Sequence, residues 1–192
     1  HVYWWENPSP RFDAGVAWTR HVIKDSGATQ HHDQVFADVL GKGKPQLIFW
    51  NQSISQLFLA EIPENPRSSG PWPIRSILTA KPSANGPPYT EGLAVDDIDG
   101  DGKLDLLAGN GWLKHRSGDE FTFIPIGEHG GRIASGRFQA GKAPQVVIAP
   151  GDGVGPLMVY ESNGDPTDPK AWKGRSLLNR PMVHGHSLQI TD

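Results

Sequence analysis

Leu93-Ala94-Val95-Asp96-Asp97-Ile98-Asp99-Gly100-Asp101-Gly102-Lys103-Leu104-Asp105-Leu106-Leu107 decides the fold. A short apolar run enters it, a tight acidic loop with two glycines turns it, and a second apolar run leaves it. That order predicts two antiparallel strands joined by a hairpin. The same pattern recurs upstream, from Val35 through Asp38-Val39-Leu40-Gly41-Lys42-Gly43-Lys44-Pro45-Gln46 to Ile48. It recurs downstream as Ile133-Ala134-Ser135-Gly136-Arg137-Phe138-Gln139-Ala140-Gly141-Lys142-Ala143-Pro144-Gln145-Val146-Val147. A fourth copy is expected to begin at His186-Ser187-Leu188-Gln189-Ile190.

Each pair is followed by two further strand-like runs. Gln56–Ala60 and Pro156–Tyr160 represent the first kind, and Trp72–Leu78, Phe121–Ile126 and Trp172–Leu178 the second. Val2–Trp5 and Trp18–Ile23 supply the same two pieces at the start. A repeating unit of four strands over roughly 40–60 residues is the blade of a β-propeller. The expected fold is therefore all-β, with about three and a half blades of four antiparallel strands. The divisions fall at 1–28 (the outer strands of one blade), 29–80, 89–127 and 129–180 (whole blades), and 183–192 (the first strand of another). Joined end to end, these pieces still lack a strand. The chain is thus expected to be part of a larger propeller or to close by self-association. It starts at His1 and stops in mid-pattern, as a processed or truncated chain would.

Bulk properties agree and narrow the function classes. Gly 23 and Pro 17 suit short strands with many turns. The net charge of −3 has no Lys/Arg stripe beside it, which speaks against nucleic-acid binding. No apolar run approaches the length of a membrane-spanning helix. The chain has no cysteine, which excludes disulfides and thiolate metal sites.

The central loop reads D-x-D-G-D-G-x-x-D. Hard cations such as Ca²⁺ take six to eight oxygens at about 2.3–2.6 Å. Asp97, Asp99, Asp101 and Asp105, with the carbonyl of Lys103, form such a set once Gly100 and Gly102 let the loop wrap. The start resembles an EF-hand loop, without that motif's distant glutamate and flanking helices. The other two loops have lost the ligands, with Lys42 and Arg137 expected to place a cation where the metal would sit.

These residues resemble the FG-GAP/VCBS repeat family, most closely in Asp97–Asp105 followed by Leu106-Leu107-Ala108-Gly109-Asn110. The resemblance implies a propeller, commonly seven-bladed, with Ca²⁺ in hairpin loops and a secreted or periplasmic setting. Tyr3-Trp4-Trp5-Glu6-Asn7-Pro8, Trp18–Ile23 and Gly131–Phe138 also look like the propeller of aldos-2-ulose dehydratase and its bacterial relatives. That likeness implies elimination of water from oxidised sugars and bound metals.

Residues just before each innermost strand sit at one mouth of a propeller's channel. Those positions hold His31, His32 and Asp33; Tyr89, Thr90 and Glu91; His129 and Arg132; and His184 and His186. His31, His32, Glu91, Arg132, His184 and His186 are the candidate catalytic set. Imidazole and carboxylate there fit a second divalent metal, Zn²⁺ or Mg²⁺, or an acid–base pair acting beside a sugar carbonyl. Arg132 suits a two-point contact with a substrate carboxylate. The same groups equally fit strand-end capping and contacts between blades. Trp18, Trp72 and Trp172 recur at one strand position and are expected to pack between blades. Trp50 and Trp112 are candidates for stacking on a sugar ring, although core packing suits each of them singly. A sugar dehydratase or lyase, a lectin-like or adhesion propeller, and a scaffold portion of a larger enzyme all remain open.

Overall fold

The computed structural model describes residues 1–83, 88–140 and 142–190. The first strands are β1 (Val2–Glu6) and β2 (Thr19–Lys24), which pair as a two-stranded sheet. Next come β3 (His31–Ala37), β4 (Gln46–Asn51), β5 (Gln56–Glu61) and β6 (Ile74–Thr79), one four-stranded sheet in chain order. A second such sheet follows from β7 (Leu93–Asp96), β8 (Asp105–Ala108), β9 (Gly111–Ser117) and β10 (Glu120–Pro125).

The third contains β11 (Arg132–Gly136) and β12 (Gln145–Ala149). It skips β13 (Gly151–Gly155) and continues with β14 (Met158–Ser162) and β15 (Trp172–Ser176). The last strand, β16 (Met182–Gly185), pairs with β13. All of these pairings are antiparallel. The chain is all-β, and its four-stranded sheets are propeller blades; no closed sheet forms among the described residues. No helix among them is long and apolar enough to cross a membrane.

The blades hold together through three apolar layers. One unites Trp50, Leu57 and Leu59 with Leu106, Ala108 and Leu113 of the next blade. A second unites Leu107, Trp112 and Ile124 with Ile133, Val146, Ile148, Tyr160 and Trp172. The third places Ile23, with Trp4, against Leu47, Phe49, Ala60 and Trp72. Because sheet faces are covered by neighbours, β4 is buried at every residue and its interior, Leu47–Trp50, is a continuous apolar run rather than an alternating one. Trp72 and Trp172 pack as expected. Trp18 does not: it is 45% exposed and belongs to none of these layers.

The innermost strands β3, β7 and β11 lie side by side. Their approach requires glycine before β7. Gly92 has φ +80°, and a Cβ there would meet the Gly131 carbonyl oxygen at 2.1 Å. Two further departures from the sequence reading concern the end of the chain. Gly151–Gly155 forms an unexpected strand, and its partner lies at Met182–Gly185, while 186–190 carry no strand.

Candidate functional site

The Asp97 loop closes the hairpin between β7 and β8. Gly100 and Gly102 adopt φ +75° and +82°, a left-handed region that suits glycine. Their turn lets the Asp97 carboxylate accept the N–H groups of Asp101 (3.0 Å) and Gly102 (2.9 Å). Asp105, 3% exposed, accepts the Ile98 N–H at 3.1 Å. One carboxylate oxygen from each of Asp97, Asp99 and Asp105 lies within 4.8 Å of the others. Asp101 accepts the N–H of Lys103 and turns its other oxygen to the Lys114 ammonium at 2.8 Å. Lys114, on β9, also contacts Asp99.

The loop concentrates negative charge, and Lys114 is the cation paired with it here. Burial pushes the Asp105 carboxyl up to about 7, and the charges of Asp99 and Asp101 add to the rise. Burial opposes the Lys114 charge, yet Asp101 and Asp99 hold the ammonium above its usual range. Asp99 Oδ1 is buried without a hydrogen-bond partner. A converging all-oxygen set with an orphaned oxygen fits a hard divalent cation.

The sister loops keep the turn by other means. Asp38 accepts the N–H groups of Lys42 (2.9 Å) and Gly43 (2.6 Å), as Asp97 does in its own loop. The expectation that Lys42 and Arg137 fill the metal position is corrected. Lys42 Nζ reaches Glu61 at 3.5 Å, and Arg137 reaches Asp96 at 3.5 Å. Glutamine does the work instead. Gln145 accepts the Phe138 N–H at 2.9 Å, the counterpart of the Asp105–Ile98 bond, and donates to the Ala143 carbonyl at 2.7 Å. Gln46 likewise accepts from Leu40 and donates to the Lys44 carbonyl. Those carbonyls correspond to that of Lys103, so an amide N–H stands where a cation would. Glutamine at the Asp105 position was the available sequence signal.

At the rim, the structure joins some candidates and separates others. Arg132, 8% exposed, spans the first three innermost strands. Its guanidinium donates to both Asp33 oxygens and lies 3.5 Å from Glu91 Oε2. Asp33 also accepts the Gly92 N–H at 2.7 Å, and Glu91 accepts from Gln52 at 3.1 Å. Asp33 therefore takes up the Arg132 Nη1, while the Arg132 Nε is buried without a hydrogen-bond partner. Asp33 and Gln52 complete this network outside the candidate catalytic set.

His32 borders the network, its Nδ1 3.6 Å from Asp33 and 3.5 Å from Arg132. His31 packs edge-on against Phe49, and its Nδ1 lies 3.3 Å from the Trp50 carbonyl. Burial, then the Lys24 charge, holds the His31 imidazole below its usual range, so it is neutral near pH 7. His184 and His186 form a separate pair with stacked rings, joined by Asp152 rather than by the other rim histidines.

Trp50 and Trp112 are both 0% exposed. Stacking on a sugar is overturned for each, because neighbouring blades cover the indoles. The Trp50 Nε1–H donates to the Gly92 carbonyl at 3.1 Å.

The FG-GAP repeat family model matches residues 89–120, the span that holds the Asp97 loop and the strands around it. Comparison with curated proteins and with solved structures gave no match.

Proposed function

We propose that this chain is a calcium-stabilised propeller segment that binds a carbohydrate without transforming it. The carrying observation is that Arg132, Asp33 and Glu91, central among the candidate catalytic groups and their neighbours, are committed to one another. That arrangement leaves them a fixed inter-blade clamp rather than a base and an electrophile poised on a substrate.

The ligand surface is a cavity of about 350 Å³ above Trp50, bordered by Thr79, Lys81, Tyr89, Asn110 and Phe123. Its size falls in the range of small-molecule sites, and it mixes aromatic faces with a few polar groups. Aromatic rings suit the apolar face of a sugar, and the hydroxyl, amide and ammonium groups suit its rim. Isothermal titration with neutral and uronate oligosaccharides tests this, with ultraviolet absorbance followed for an unsaturated product. Binding without turnover is expected, weakened about tenfold by Lys81→Ala, the share of one charge-assisted hydrogen bond of about 1.5 kcal/mol. Turnover that disappears with His32→Gln would make the chain a lyase instead. Absence of binding across the panel would leave it a scaffold.

Calcium is assigned to Asp97, Asp99, Asp101, Asp105 and the Lys103 carbonyl. Here the metal's role is structural: Lys114 meets only Asp99 and Asp101, and a bound cation would tie the carboxylates of Asp97 and Asp105 to them. Extracellular modules bind Ca²⁺ with dissociation constants of about 10⁻⁴–10⁻³ M, which suits a secreted or periplasmic setting. At a hundredfold excess over that constant, binding adds about 2.7 kcal/mol to stability. For a chain of this size, that raises the melting temperature by about 5–10 °C. Thermal denaturation with and without calcium is expected to show this rise, and Asp99→Asn is expected to remove it. An unchanged rise in Asp99→Asn would place the ion elsewhere.

A further inference from the structure

We propose that Asp152, His184 and His186 form a transition-metal site, separate in ligand chemistry and position from the oxygen-lined Asp97 loop. One donor atom from each of the three residues lies within 4.8 Å of the other two. Two imidazoles and one carboxylate suit Zn²⁺, Co²⁺, Ni²⁺ or Cu²⁺ better than Ca²⁺ or Mg²⁺.

The backbone places these donors through two local irregularities. Between the pairs Gly151↔Gly185 and Val154↔Val183, two residues of β13 (Asp152 and Gly153) oppose the single residue His184 of β16. Such a bulge redirects a side chain out of the regular ladder. His184 itself has φ 53°, an uncommon conformation for a non-glycine residue. Strain of this kind clusters at binding sites, where the surrounding structure maintains it. The His186 N–H then donates to the His184 carbonyl at 3.0 Å, folding the chain so that the two rings stack 5.7 Å apart.

Distances suit a tetrahedral ion. With metal–ligand bonds of about 2.0–2.1 Å, ligand atoms stand about 3.3 Å apart. His186 Nδ1 and Asp152 Oδ1 are already 3.0 Å apart. All three residues are exposed, so their side chains can contract around an ion without disturbing a core. Three protein ligands leave a fourth position for water or an anionic ligand, the arrangement of open zinc sites. His186 also borders a small cleft shared with Asp33, Leu93 and Arg132, so the cluster adjoins the rim.

The test is titration of calcium-saturated protein with Co²⁺, followed by visible absorption, and then displacement by Zn²⁺ followed calorimetrically. One equivalent should bind with the intense absorption of four- or five-coordinate cobalt. His184→Asn, which tolerates the left-handed backbone, and His186→Gln should each weaken binding at least tenfold. His115→Gln, on β9 and outside the cluster, should leave it unchanged. Equal cobalt affinity in the parent chain and both histidine variants would overturn the proposal, as would absence of binding at millimolar cobalt. Neither result depends on whether the protein binds a sugar.

Discussion

Trp50→Ala is expected to lower the unfolding free energy by about 3–5 kcal/mol, the range for truncating a buried aromatic side chain. Trp50 has no exposed surface, and it sits in the apolar layer that joins the blade of β3–β6 to the blade of β7–β10. Its indole also donates across that boundary to Gly92. Urea denaturation should show the loss as a lower midpoint with little change in slope. Phenylalanine separates the packing from the hydrogen bond. Trp112 is equally buried but its Nε1 has no partner. Trp50→Phe should therefore cost about 1 kcal/mol more than Trp112→Phe, the net worth of one hydrogen bond. A Trp50→Ala variant within about 1 kcal/mol of the parent that has lost sugar binding would return Trp50 to the ligand surface.

The contrast between what could and could not be read from the chain has a physical basis. The hairpin repeat was legible because a run such as Leu106-Leu107 after Gly102-Lys103-Leu104-Asp105 states strand, turn and strand locally. The exposure of Trp50 and Trp112 was not legible, because in stacked blades both faces of a strand are covered and alternation no longer separates inside from outside. Gly151-Asp152-Gly153-Val154-Gly155 has three glycines and only Val154 as a strand-forming residue, yet it is held as a strand by β16. The rim histidines were found by position in the repeat. Their grouping was not, because Arg132 meets a carboxylate 99 residues earlier in the chain. Only the fold brings those charges together.

That long-range charge cluster leads to the second large effect. Arg132→Met should destabilise the chain by about 3 kcal/mol, the lower end of the range for removing one partner of a buried ion pair. The lower end applies because the Asp33 side chain is 25% exposed and water can solvate part of the orphaned charge. Asp33 has φ 39°, and its carboxylate holds both the Gly92 N–H and Arg132, so it ties β3 to the entry of β7 and to β11. Removing the guanidinium leaves Asp33 and Glu91 as two like charges in one partly dry space. Asp33→Asn should therefore cost less in the Arg132→Met background than alone, with a coupling energy of at least about 1 kcal/mol. Chemical denaturation of the four proteins in this cycle measures that coupling. Additive losses would mean that Arg132 and Asp33 are not a clamp. A stable Arg132→Met protein that no longer binds uronates would return the guanidinium to ligand recognition.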